Sequence, residues 1–396
     1  MIYNLMLNKK YGIVLTVGLI WVLVGVFFLH NRGKNASSGI WEETIDINGV
    51  LGPKFDVTKR IAYISGHIGT TTDFKYMAQH LLLENVDYYD SRDFFDYLSS
   101  RDGYRSIVID GTVEEICSTH DAIFISDSLA DGWPFIMDGK QPCKNVVFVT
   151  TNRFDCGVHE GDREVFYQDF NYSLNRNDEY RARVIANNRF EVPYMRSKGI
   201  DVPDYHPVIR PFGYTSVQAI EIDPNDVNAA CLIIGRVPQD EILMNNLVDQ
   251  HTTHKCKVVP YHYGGPKTLE KYESVVVHLP YQVSIMKMWE NLAYGVLMLV
   301  PSPEFFTQIC TENVCQQDHD AMEPKRVIGE EHWSEYLDFY LPGWGECFIQ
   351  YNSWEELDNI LTSKDYLKNV NTCRNKMEDL RELNLQLWKK LLTVLH

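Results

Sequence analysis

Glu290 stands in the middle of a segment whose opening residues, Ser284 and Ile285, follow closely on a β-branched run, Val275, Val276 and Val277, with Leu279 behind it. Pro280 stops that run, Gln282 and Val283 lead out of it, and Gly295 marks the C-terminal stop of a helix expected over residues 285–294. Residues 296–300 are apolar throughout, as a parallel strand buried on both faces must be. A strand–loop–helix–strand unit of this kind aims unpaired backbone N–H groups at the space above the strand ends, and that space favours a phosphate. Glu290 lies near the middle of that helix, eight residues after Gln282. A second carboxylate, Asp127, closes the apolar run 121–127 at what reads as the C-terminal end of a strand.

The elements around these residues alternate. In the first half, strands are expected over 61–65, 86–89, 121–127, 145–150 and 183–187, and helices over 73–84, 93–98, 113–117 and 190–198; residues 106–109 make a further apolar run. In the second half, strands are expected over 229–236, 257–260, 275–279, 296–300 and 348–351, with a helix over 240–250. Such alternation calls for parallel sheets with right-handed crossovers. The expected fold is therefore α/β, with two Rossmann-like doubly wound domains over 58–213 and 229–373, and a cleft between them. An acidic stretch containing Pro224, residues 214–228, reads as the linker. Residues 305–345 read as a long insertion rich in aromatics, a lid or acceptor-side loop. Ser353 and Glu356 form a capping box, and the spacing of Met377, Leu380, Asn384, Leu387 and Leu391 gives a C-terminal helix over 374–396 with one apolar face.

The pattern Pro-x-Gln-x7-Glu-Asn-x-Ala-x-Gly over residues 280–295 resembles the donor-binding segment of GT-B glycosyltransferases of the glycogen-synthase-like, nucleotide-sugar-using kind. That family carries Glu-x7-Glu and then Ala-x-Gly. The resemblance implies that Glu290 binds the donor ribose and that Ser284 and Ile285 hold the diphosphate through loop amides. Gln282 stands where the family places a first Glu near the transferred sugar; an amide keeps the hydrogen bonds but brings no negative charge to an oxocarbenium-like centre. Residues 229–236 resemble the family's first C-terminal strand and Gly-Arg turn, which implies that Arg236 meets the donor diphosphate. The usual companion lysine is missing after Arg236. Either Lys267 substitutes from another loop or the phosphates rest on Arg236 and amides alone. Residues 183–213 resemble the last unit of the family's N-terminal domain and its hinge. Since that domain receives the acceptor, the resemblance places His67, in the turn Gly66-His67-Ile68-Gly69, at the cleft; His67, Asp127 and Gln282 are the candidate catalytic residues. The competing readings are a solvated Glu290 on an ordinary amphipathic helix, a polar loop residue at His67 and a plain polar turn at Gly235–Arg236.

The chain of 396 residues has 45% apolar and 23% charged residues, the composition of a globular protein, and a net charge of −17 argues against nucleic acid as a partner. Residues 11–29 carry no charge and are long enough to cross a bilayer, since ~1.5 Å per residue must cover ~30 Å. With 1–10 as a cytosolic tail and 30–57 as a stem, this reads as an uncleaved signal anchor; a cleaved signal peptide is the alternative. Sequons at Asn35 and Asn171, both after the span, place the body in the lumen of the endoplasmic reticulum or Golgi apparatus, as a single-pass type II glycoprotein. Nine cysteines in that compartment suggest one or two disulfides, and no Cys or His spacing suggests a metal site. Ser126-Asp127-Ser128 is a poor match to the Asp-x-Asp of metal-dependent GT-A transferases. The function expected is transfer of a sugar from a nucleotide-diphosphate sugar to a glycan or glycoprotein, without a metal or a permanently bound cofactor. The resemblance implies retention of anomeric configuration. A catalytically silent GT-B relative that binds glycans or scaffolds other transferases is the second hypothesis, and a Rossmann-type epimerase a distant third.

Overall fold

The computed structural model describes residues 56–95, 100–203, 207–218, 230–235, 238–259, 263–270, 275–312 and 320–395. The apolar segment 11–29, Asn35, Arg236 and most of the expected linker lie outside them. Among the described residues no helix is long and apolar enough to cross a membrane.

Ten strands form two separate five-stranded sheets in which every pairing is parallel. The first contains β1 (Arg60–Ile64), β2 (Asn85–Tyr89), β3 (Ala122–Ser126), β4 (Val146–Thr150) and β5 (Arg183–Ala186), in the order β2-β1-β3-β4-β5. β3 and β4 are buried along their whole length because helices cover both faces, and their unbroken Ile, Val and Phe content follows from that. The second sheet contains β6 (Cys231–Ile234), β7 (Cys256–Val259), β8 (Val275–Val277), β9 (Leu297–Pro301) and β10 (Phe348–Tyr351), in the order β7-β6-β8-β9-β10. Both sheets therefore wind alike. Each starts in its middle, moves one strand outward, then reverses. The crevice beyond the carboxyl ends of the two strands flanking that reversal, β1 and β3 in one sheet and β6 and β8 in the other, is where open α/β sheets bind ligands.

Several elements differ from the sequence expectation, each for a local reason. The first helix runs Ile68–His80 instead of starting at residue 73, because His67 caps it. The apolar run 106–109 ends the helix Arg101–Ile109, capped by Ser100; only Tyr104 and Ile107 face the core, while Val108 and Ile109 are exposed. Helix Arg163–Leu174 lies where no element was expected, and Asn171 falls inside it, with its Oδ1 accepting the Asp201 N–H at 2.7 Å. The described part of 305–345 is structured and partly buried, not an open loop. It holds the end of helix Pro303–Thr311, helix Glu323–Ile328 and 3-10 turns, and it buries Trp333, Leu337 and Phe339. Trp344 packs edge-on against Trp289 at 5.4 Å between ring centroids, so this stretch completes the core of the second half.

The C-terminal helix begins earlier than expected, at Val370, and runs to Thr393. Its start is tied to the second sheet by the disulfide Cys347–Cys373. Its middle holds the segment between the sheets: Asn384 Nδ2 donates to the Arg210 carbonyl at 2.6 Å and Arg381 Nε to the Phe212 carbonyl at 2.7 Å. Its end packs on the first half, with Trp388 against Phe74 and Phe124. At the crossing, Gly213 has φ 65°, and a Cβ there would lie 2.4 Å from the Trp289 carbonyl oxygen, so only glycine fits. Three disulfides join described residues, Cys117–Cys143, Cys231–Cys256 and Cys347–Cys373, one more than the upper expectation. Cys231 and Cys256 are register partners at the starts of β6 and β7, a juxtaposition that pairing of the strands creates.

Candidate functional site

A small cleft, about 30 Å³ in cavity volume and partly open to solvent, lies at the carboxyl ends of the first sheet. Tyr63, Ser126, Thr151 and Asn187 line it from strand ends, Arg210 and Phe212 from the segment leaving the first half, and Trp388 from the C-terminal helix. Met286, the first residue of helix Met286–Ala293 after β8, closes it from the second half.

At the reversal of the first sheet, the turn after β1 carries His67. Its Nδ1 accepts the N–H groups of Gly69 at 3.1 Å and Thr70 at 3.3 Å, so His67 is the N-cap of the first helix. An accepting Nδ1 places the ring proton of neutral imidazole on Nε2. His67 can therefore donate a hydrogen bond from Nε2 but cannot take a proton there. Asp127, just past the end of β3, has φ 73°, the left-handed region that non-glycine residues enter at a cost. Its N–H donates to Thr151 Oγ1 at 3.1 Å. Burial pushes its carboxyl above the usual range, with the His67 imidazole close by. Asp127 follows directly on Ser126, which lines the cleft.

At the reversal of the second sheet, helix Met286–Ala293 has Ile285 as N-cap with no side-chain hydrogen bond, which leaves first-turn amides without a side-chain partner. Ser284 is buried, and its hydroxyl accepts Trp289 Nε1–H at 3.3 Å and leans on Asp338, so Ser284 offers its backbone alone. Glu290 is buried, not solvated: its Oε2 accepts from Lys287 Nζ at 2.8 Å. Burial alone would lower the pKa of Lys287, but Tyr263 and Glu290 outweigh it and the shift is upward. Gln282 is half-buried in the loop after β8. Lys267 lies by the other end of the helix, with Nζ 5.6 Å from the ring of Tyr294, the C-cap, and not beside Ser284 and Ile285.

The structure thus gathers the predicted residues into two groups, His67 with Asp127 and Gln282, Ser284, Ile285 with Glu290. The groups meet at one point, where a Cβ on Gly69 would lie 3.8 Å from Met286 Cγ. Asp73, missed in the sequence, joins them. It lines the cleft, its Oδ1 accepts the Phe212 N–H at 2.8 Å, and burial, reinforced by the charge of Glu290, pushes its carboxyl up to about 8. Arg210, also missed, donates from Nε to Asp338 Oδ1 at 3.2 Å. Positions 73, 210, 290 and 338 share no sequence pattern that would have paired them.

The winding of both sheets matches the GT-B arrangement that the donor segment implied. Among solved structures, the chain is similar to the glycosyltransferase SnogD from Streptomyces nogalater, at 12% identity and a TM-score of 0.44 over 83% of this chain and 98% of that one. It is also similar to a protein assigned as a UDP-N-acetylglucosamine 2-epimerase from Listeria monocytogenes, at 12% identity and a TM-score of 0.38 over 78% of this chain and 94% of that one. At this level of likeness the fold assignment rests on the two sheets themselves. No family model matches the sequence, and no curated protein does.

Proposed function

We propose that this protein transfers a sugar from a nucleotide-diphosphate sugar to a glycan or glycoprotein acceptor. The observation that carries the reading is the helix start at Ile285–Met286, without a side-chain cap, where Met286 reaches the cleft at the carboxyl ends of the first sheet, with buried Glu290 further along the same helix. Helix N-termini hold phosphate through their amides and their positive dipole end. Glu290 then takes the ribose hydroxyls. In the transfer, the bond from the anomeric carbon to the diphosphate oxygen breaks and the diphosphate leaves with the electron pair. A bond from that carbon to the acceptor oxygen forms, and the acceptor proton passes to Asp127. His67 donates Nε2–H to an oxygen in the cleft and holds the turn that shapes it. The donor segment implies retention of configuration, which the anomer of the product reports directly.

Purified protein incubated with a panel of nucleotide sugars is expected to release the free nucleoside diphosphate from one of them, slowly with water and faster with the right acceptor. Binding of uridine or guanosine diphosphate without any release would instead favour the silent relative. That second reading draws support from Gln282, which lacks charge, and from the Lys287 partner that Glu290 already has. Binding of neither nucleotide would defeat the transferase reading.

The compartment we propose is the secretory pathway, with residues 11–29 as anchor and the body in the lumen. Protein made in its own kind of cell is expected to shift in gel mobility on endoglycosidase treatment, through glycan at Asn35 or Asn171. An unshifted band, together with protease cleavage of the body in intact vesicles, reverses the orientation.

A further inference from the structure

Arg210 lines the cleft, and a second arginine of the first half, Arg189, lies close enough to it for their charges to interact. Arg210 has a side chain only 15% exposed, and beyond its bond to Asp338 its Nη2 is buried with no hydrogen-bond partner. Arg189, in the turn after β5, is half-buried, and its guanidinium makes no hydrogen bond among the described residues. Burial, and then the charge of Arg210, pull the pKa of Arg189 down, which shows that the two cations feel each other. The carboxylates that face the pair are Asp338, bonded to Arg210, and Glu335, which acts on Arg189 while its Oε1 already meets His332 Nδ1 at 2.9 Å. The Asp338 backbone N–H donates to the Val283 carbonyl at 2.8 Å, so the pair sits beside the loop that delivers Ser284 and Ile285. In a chain of net charge −17, a pair of like cations at a half-buried place, one with a buried Nη2 left without a partner, is a costly arrangement that an anion would relieve.

We propose that Arg189 and Arg210 form the cationic site for the diphosphate of the donor, reaching it from the first half in place of the lysine that the second half lacks. This deepens the nucleotide-sugar reading and rests on it for the identity of the ligand. Guanidinium forks match phosphate oxygens two at a time, and a diphosphate carries charge enough for two of them. Because the cations come from one half and the amides and Glu290 from the other, the donor would bridge the two sheets.

The test is calorimetry on the full-length protein with inorganic pyrophosphate, uridine and guanosine diphosphates, their nucleosides, and glucuronate as a carboxylate control. Arg189→Gln removes a side chain that loses no hydrogen bond, so it is the primary variant. Arg210→Gln is made together with Asp338→Asn, so that no buried carboxylate is left unpaired, and melting curves check that both fold. Each variant is expected to weaken pyrophosphate and nucleoside diphosphate by about tenfold or more, the loss of one charge-assisted contact, with nucleoside binding unchanged. Wild-type affinity in both variants overturns the proposal and leaves the nucleotide reading standing, as does glucuronate displacing pyrophosphate at equal concentration. Arginine-dependent pyrophosphate binding without any nucleotide binding supports the cationic site and removes the nucleotide-sugar reading. Pyrophosphate that fails to bind the wild type overturns the site.

Discussion

At the scale of single residues, substitutions can divide the side chains assigned to the proposed ligand from those that hold the fold. Glu290→Ala is expected to weaken nucleoside diphosphate binding by at least about tenfold, because a carboxylate accepting ribose hydroxyls makes charge-assisted bonds worth roughly 1.5–3 kcal/mol each. Glu290→Gln should fall between, and equal affinities by calorimetry would return Glu290 to a structural role with Lys287. Asp127→Asn keeps the shape but cannot take a proton, so turnover should collapse while donor affinity stays; a variant with unchanged turnover removes Asp127 from the chemistry. His67 has two duties that one pair of substitutions can divide. His67→Ala should cost about 1 kcal/mol of stability through the lost cap. His67→Asn should restore the melting temperature, since Asn caps well, yet leave activity low if Nε2–H contacts substrate. Full activity in His67→Asn would confine the residue to capping.

Among the elements, the C-terminal helix matters most to the cleft. It is fastened to the second half by Cys347–Cys373, grips the connecting segment through Arg381 and Asn384, and ends on the first half at Trp388. Trp388 is buried and its ring meets Phe74 edge-on at 5.6 Å. Trp388→Ala is expected to cost about 3–5 kcal/mol, the usual range for emptying a buried aromatic site. Since Trp388 also lines the cleft, the same change should weaken acceptor or donor binding beyond the stability loss. A denaturation midpoint like that of the wild type would mean the helix end contributes little to joining the halves.

At the level of the whole molecule, Asp73 links three parts: its own helix in the first half, the Phe212 amide in the connecting segment, and the charge of Glu290 in the second half. Burial raises its folded pKa from an ordinary 3.8 to about 8. Between those values the folded protein holds a proton that the unfolded chain has released, so this contribution to stability is complete below about 4 and is lost as pH rises through about 8. Asp73→Asn keeps an oxygen to accept the Phe212 N–H and removes the titration. Thermal melts from pH 4 to pH 9 should show the wild type losing stability relative to this variant as pH rises. A constant difference across the range would show that Asp73 titrates normally in the fold.

Local pattern was enough to reveal the parallel strands and the helix that carries Glu290, because a strand buried on both faces and a helix with one apolar stripe each impose a period on nearby residues. The run 296–300 and the step from Val283 to Gly295 are of this kind. Local pattern failed where a short apolar run suited two structures, as at 106–109, and where the burial of Trp333 and Phe339 depended on a distant partner surface. It also could not supply the cleft itself. Asp73, Arg189, Arg210 and Asp338 have ordinary sequence neighbours, and Cys231 and Cys256 have nothing in their spacing that pairs them. They meet because two sheets with the same winding are folded against each other and strapped by one helix, and electrostatic energies depend on separation in space, which separation along the chain does not set.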